Sequence, residues 1–211
     1  MMQIIMSKLL YLPGIIIALT FHEFAHAKVA NMLGDPTPKL QGRVTLNPMA
    51  HIDIIGFIAL LLVGFGWGKP VAINGNYFKN FKRDEILVSA AGVTMNFFLA
   101  ICFAGILKIV SISGLSFFTA TLAGSLISQM LYGIIWINIV LMVFNLMPVP
   151  PLDGFNIIAE LLHLREKGIY HQIYEKGPII LLLLILFHVT DKVIGPAANF
   201  VMDAVLKIFF L

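Results

Sequence analysis

Between Glu85 and Lys108, and again between Lys108 and Asp153, the chain carries no charged residue. Runs of this length reach the roughly 20 residues that an α-helix needs to cross about 30 Å of hydrocarbon. With 59% hydrophobic and 12% charged residues among 211 positions, the composition also lies outside the usual balance of a soluble domain. An integral membrane protein is the reading that follows; a very apolar soluble bundle is the alternative, and the run lengths count against it. The first apolar run has no small-residue cleavage site behind it and continues into His22, so it is expected to remain in the mature protein. The net charge of +3 is spread over short loops, which supports orientation in a lipid bilayer and gives no support for nucleic-acid binding. Cys102 lies inside an apolar run and is expected to pack there.

The spacing of helix stops predicts an all-α polytopic fold in a single domain, 1–211, with about four transmembrane helices. The first span is expected from Ile4 to Leu33, ended by Gly34-Asp35-Pro36. Glu85 to Val110, capped by Asp84, and Thr119 to Met147, ended by Pro148, Pro150 and Pro151, are the next two, and Pro178 to Val193 is the fourth. Ile54 to Trp67 is apolar but short and contains Gly56, Gly64 and Gly66, as a re-entrant segment would. Leu40 to Leu46 is strand-like. Val71-Ala72-Ile73, Asn74-Gly75, Asn76-Tyr77-Phe78 reads as a small β-hairpin, because Asn-Gly suits a two-residue turn. Phe155 to Leu164 is expected to form a short helix, and Ala197 to Leu211 a C-terminal interfacial helix.

With the 54–67 segment re-entrant, Lys39, Arg43, Lys69, Lys79, Lys82, Arg83, Arg165, Lys167 and Lys176 share one side, opposite Lys8, Lys108, Lys192 and Lys207. Basic loops favour the cytoplasm. The expectation is therefore a cell-membrane protein with its N-terminus outside and the loop after Leu33 on the cytoplasmic side.

The first span carries His22-Glu23-Phe24-Ala25-His26. On a helix the two histidines lie one turn apart on one face and can bind one ion together. A catalytic zinc site needs a third protein ligand and an open position; a glutamate beside it can take a proton from water and pass it to a leaving amine. That division of labour is the mechanism behind the HExxH pattern. Uncompensated, three ionisable groups would weaken a membrane span considerably. In Asn145-Leu146-Met147-Pro148-Val149-Pro150-Pro151-Leu152-Asp153-Gly154, prolines break the third long helix. Asp153 then lies on irregular backbone sheltered by protein, from which its carboxylate can turn toward His22 and His26 as the third zinc ligand.

Together these two motifs resemble the site-2 protease family of intramembrane zinc metalloproteases, over most of the chain. The resemblance implies Zn2+ held by His22, His26 and Asp153, Glu23 as general base, and Asn145 as the residue that positions the substrate backbone or stabilises the oxyanion. Gly42 to Asp53 is similar to the compact members that lack PDZ and CBS regions. The sequence departs from the family at Gly92-Val93-Thr94-Met95-Asn96, which lacks the proline often present there. Asn96 is kept among the candidate catalytic residues, with helix packing as its alternative role. His51 and Asp53 read either as a second metal pair or, for Asp53, as a helix cap.

The implied reaction is hydrolysis of peptide bonds within or near transmembrane segments of membrane-protein substrates. Those substrates would dock in extended form against the 40–46 or 71–78 region. The competing class is a membrane transporter or a non-catalytic metal-binding scaffold using the same histidines; the chain shows no internal repeat of the kind many transporters have. Oligomeric state has no signature in the sequence.

Overall fold

The computed structural model describes residues 2–63, 66–112 and 116–210. Gly64 and Phe65 of the apolar 54–67 stretch lie outside these residues, as does the side chain of Lys8. The helices are α1 (Met2–Met32), α2 (Thr37–Leu40), α3 (Ile54–Val63), α4 (Phe81–Ile112), α5 (Ser116–Ala120), α6 (Leu122–Asn145), α7 (Asp153–Leu161), α8 (Ile169–Leu186) and α9 (Val189–Phe210).

Helices α1, α4 and α6 pack on one another, with α9 against α4 and α6 and α7 against α4. The main apolar core lies among α4, α6 and α9, around Ala100, Ile135, Ile139, Met202 and Val205. Bulky side chains such as Phe98, Ile109, Ile179 and Phe200 point outward, as lipid-facing surfaces require. Gly14 brings α1 close to α6: a Cβ there would lie 3.0 Å from the Gly133 carbonyl oxygen. Such small-residue contacts let membrane helices approach without a hydrophobic driving force. At the start of α4, the Asn80 side chain accepts the Arg83 N–H and Asp84 accepts the Asn80 N–H, both at 3.1 Å. This reciprocal pairing satisfies free donors of the first turn.

Five helices, not four, are long and apolar enough to cross a membrane, making this a multi-pass membrane protein: Leu9–Met32, Phe81–Ile112, Leu122–Asn145, Ile169–Leu186 and Val189–Phe210. The expected fourth span is displaced because α8 begins at Ile169, runs through Pro178 and stops where His188 turns left-handed (φ 56°). No glycine or proline marks that stop. The expected interfacial helix is instead the continuation of α9. Asp203 and Lys207 sit on its exposed side, while Ala198, Met202 and Val205 are buried in the core. The Lys108 ammonium lies 5.1 Å from the Phe210 ring, so α9 runs parallel to α4.

The β-hairpin is absent; no strand occurs among the described residues. Gly75–Tyr77 forms one turn of 3-10 helix instead, with the Asn74 side chain accepting the Asn76 N–H at 3.1 Å. Side chains take up the hydrogen bonds that a partner strand would have made. Buried Asp35 accepts the Asn74 N–H at 2.7 Å, and the Arg43 guanidinium donates to the carbonyls of Lys69 (3.2 Å) and Pro70 (3.0 Å). The strand-like 40–46 stretch likewise ends α2 and turns at Gly42 (φ 68°). Ile52 and Gly68 form an antiparallel bridge, so the chain around α3 returns to the place from which it left.

Candidate metal centre

His22 and His26 project from the same face of α1 with their Nε2 atoms 3.0 Å apart. Asp153, the first residue of α7, places Oδ2 at 3.3 Å from each of those nitrogens. The two histidines are 4% and 7% exposed. Among the described residues these three form the one group of His, Cys, Asp or Glu side chains whose ligand atoms converge in this way.

Hydrogen bonding behind the rings fixes which atoms face the centre. The Nδ1 of His26 lies 2.7 Å from the Val88 carbonyl oxygen, a group that can only accept. A proton therefore resides on Nδ1, and the neutral ring presents a lone pair at Nε2. The Nδ1 of His22 lies 2.7 Å from Asn96 Oδ1, and that amide is oriented by donation from Nδ2 to the Ala18 carbonyl at 3.0 Å. Again Nε2 is left with a lone pair. The buried Asp153 Oδ2 has no hydrogen-bond partner. With both imidazoles neutral, as ligation requires, three lone-pair atoms converge, an arrangement suited to a cation among them. Ligands about 2.0–2.1 Å from a tetrahedral zinc lie about 3.3 Å from one another, so the observed spacing and the donor set fit zinc.

Two glycines make room for the group. A Cβ on Gly92 would lie 2.5 Å from both His22 Cε1 and His26 Nε2, so α4 can pass behind the imidazoles only without a side chain there. A Cβ on Gly154 would run into the carbonyl oxygens of Leu146 and Met147, so Asp153 reaches the centre because the chain folds tightly after the prolines.

A cavity of about 560 Å³ opens on the centre, and its walls include His22, Glu23, His26, Val71, Asn145 and Asp153. Glu23 Oε2 accepts the Val71 N–H at 3.1 Å. Asn145 ends α6 and donates one Nδ2 hydrogen to the Leu141 carbonyl at 3.0 Å. Asn96 is fully buried and is not part of the cavity wall; it stands behind His22. Asp53 accepts the Gly56 N–H at 2.8 Å at the start of α3, and His51 Nε2 lies 2.8 Å from the Thr45 carbonyl oxygen. Neither joins a second metal group among the described residues.

Sequence reasoning missed Asn138, whose Oδ1 accepts from Asn96 Nδ2 at 3.0 Å, and the contribution of the Val88 carbonyl. An amide in a charge-free span was a usable signal for the first. A backbone carbonyl leaves no signal at all.

Comparison with known proteins agrees with this geometry. The sequence model of Peptidase family M50 matches residues 104–188, a range that includes Asn145 and Asp153. The curated "Putative zinc metalloprotease YwhC" of Bacillus subtilis is 37% identical over 213 residues, covering 97% of this chain and 96% of that protein. This chain belongs to peptidase family M50. More distant relatives are the proteins named "Putative zinc metalloprotease Rip2". The one from Mycolicibacterium smegmatis is 25% identical over 84% of this chain and 67% of its own length. The one from Mycobacterium tuberculosis is 25% identical over 83% and 65%. No solved structure matches significantly. Membership in M50, the site-2 protease family, accords with the resemblance carried by the two motifs.

Proposed function

We propose that this M50 peptidase is a zinc-dependent intramembrane endopeptidase that cleaves within or near transmembrane segments of other membrane proteins. The observation that carries the reading is the convergence of His22 Nε2, His26 Nε2 and Asp153 Oδ2 within 3.0–3.3 Å, on a cavity that Glu23 also lines.

When bound to these three residues, zinc supplies a Lewis acid that polarises a carbonyl and lowers the pKa of water to about 7. Glu23 takes the proton from the attacking water and returns it to the leaving amide nitrogen. The Val71 N–H holds Oε2 of that carboxylate, which leaves Oε1 for the proton. Asn145 spends one amide hydrogen on Leu141; the other is available to a substrate carbonyl oxygen. Asn96 acts on the reaction through His22, whose ring it orients, rather than by touching substrate.

A helical substrate hides its scissile carbonyl in intrahelical hydrogen bonds and must unwind locally before attack. The extended stretch so produced docks beside Pro70 to Ile73, the segment whose Val71 borders the catalytic carboxylate. The return of the chain at the Ile52–Gly68 bridge supports re-entry of the 54–67 segment from one side of the bilayer. The basic loops orient that side, and the metal centre with it, toward the cytoplasm.

The test is cleavage of a transmembrane substrate in liposomes by the parent and by Glu23→Gln, with zinc content measured for both. A peptidase loses cleavage and keeps its zinc. A transporter or metal-binding scaffold using the same histidines keeps its function, because the substitution leaves the ligands intact.

A further inference from the structure

We propose that Asn138 is a positioning residue for the metal centre, holding His22 in its ligating tautomer through the amide of Asn96. Asn138 lies in the middle of α6 and is fully buried, as is Asn96 in α4. Its Nδ2 donates to the Ile134 carbonyl of its own helix at 2.8 Å, which turns Oδ1 toward α4. That oxygen and the Ala18 carbonyl oxygen both accept from Asn96 Nδ2, each at 3.0 Å. If the Asn96 amide flipped, its oxygen would face two acceptors and its NH2 would face His22 Nδ1. The two acceptors therefore keep Asn96 Oδ1 on the His22 side, 2.7 Å from Nδ1.

The result is a relay of fixed hydrogen-bond directions from Ile134 through Asn138 and Asn96 to the ring, ending in a lone pair on Nε2. Packing of α4 on α6 would need only one amide with any partner. Here two amides stand in series, and the series terminates on a ligand. Groups that orient a metal-bound histidine contribute about 10–100-fold to metal affinity. The inference rests on His22 being a metal ligand, as in the proposed function.

The experiment measures the zinc dissociation constant of the purified full chain in detergent by chelator competition. The variants are Asn138→Leu, Asn96→Leu, the double variant and His22→Ala, and thermal unfolding of each metal-free protein is recorded alongside. Asn138→Leu is expected to weaken zinc binding about 10-fold and to alter the visible absorption of the cobalt-substituted protein. The double variant should bind zinc no more weakly than Asn96→Leu, because Asn138 acts only through Asn96. Asn138→Asp, whose protonated carboxyl offers the same acceptor and donor, should restore binding. Asn138→Ala replaces the leucine variant if leucine prevents folding.

A parental zinc affinity in Asn138→Leu or Asn138→Ala, with His22→Ala losing zinc, would leave Asn138 a packing amide and overturn the inference alone. Independent, additive losses in the double variant would overturn it as well. Zinc retained at parental affinity by His22→Ala would remove the metal centre and this relay together.

Discussion

The two walls of the cavity are built by opposite means. On one side, the metal centre rests on packed helices: His22 and His26 share one face of α1, their Nδ1 atoms are braced from α4, and Gly92 lets α4 approach them. On the other side, residues 69–74 form irregular backbone suspended from ionisable side chains. Arg43 holds the carbonyls of Lys69 and Pro70, Glu23 holds the Val71 N–H, and Asp35 holds the Asn74 N–H. The first wall braces the ligand atoms by close packing and buried hydrogen bonds, which ligation needs. The second hangs on individual side-chain hydrogen bonds, which suits the extended substrate proposed above. Glu23 belongs to both, being one residue from a ligand and bonded to the suspended segment.

The contrast is broken most severely at the helical wall. Asp153→Ala or His22→Ala should abolish cleavage, by about 10³-fold or more, together with zinc binding measured on the purified protein. Gly92→Ala comes next. One methyl group, 2.5 Å from two imidazole atoms, must displace a ligand, so zinc content should fall and cleavage drop by at least about 10². Parental zinc content in Gly92→Ala would show that the helices yield where they are expected to be rigid.

At the suspended wall the expected losses are smaller and of another kind. Asp35→Asn or Val71→Pro should slow cleavage about 10-fold with zinc content unchanged, since one weakens the hold on Asn74 and the other removes the N–H bound by Glu23. Parental turnover in a folded Val71→Pro protein would discard docking along this segment. Smallest is Asp53→Ala, which removes the cap of α3 and should cost about 0.5–2 kcal/mol in unfolding measurements in detergent, with little effect on turnover.

The same contrast explains what could be seen in the sequence. The helical wall was legible because its chemistry lies in side chains at helical spacing: His22 and His26 four apart, Glu23 beside them, and Asp153 behind a run of prolines. The suspended wall was misread as a hairpin. Asn74-Gly75 has the composition of a β-turn, but the Asn74 N–H is held by Asp35 and the nearby Val71 N–H by Glu23, both far away in the chain and invisible to local pattern. The error at α9 has a related cause. Asp203 and Lys207 gave the segment an interfacial look, whereas its buried face is decided by α4 and α6. Asn138 was overlooked because an amide in a long span shows its purpose only when the groups on neighbouring helices are known.

The most direct test of the central claim is zinc-edge X-ray absorption on the purified protein in detergent, comparing the parent with Asp153→Ala. The account predicts one zinc per chain in the parent, with two imidazole nitrogens and oxygen ligands at about 2.0–2.2 Å, and loss of an oxygen ligand or of the metal in the variant. A fully occupied zinc with the same coordination shell in both proteins would contradict it.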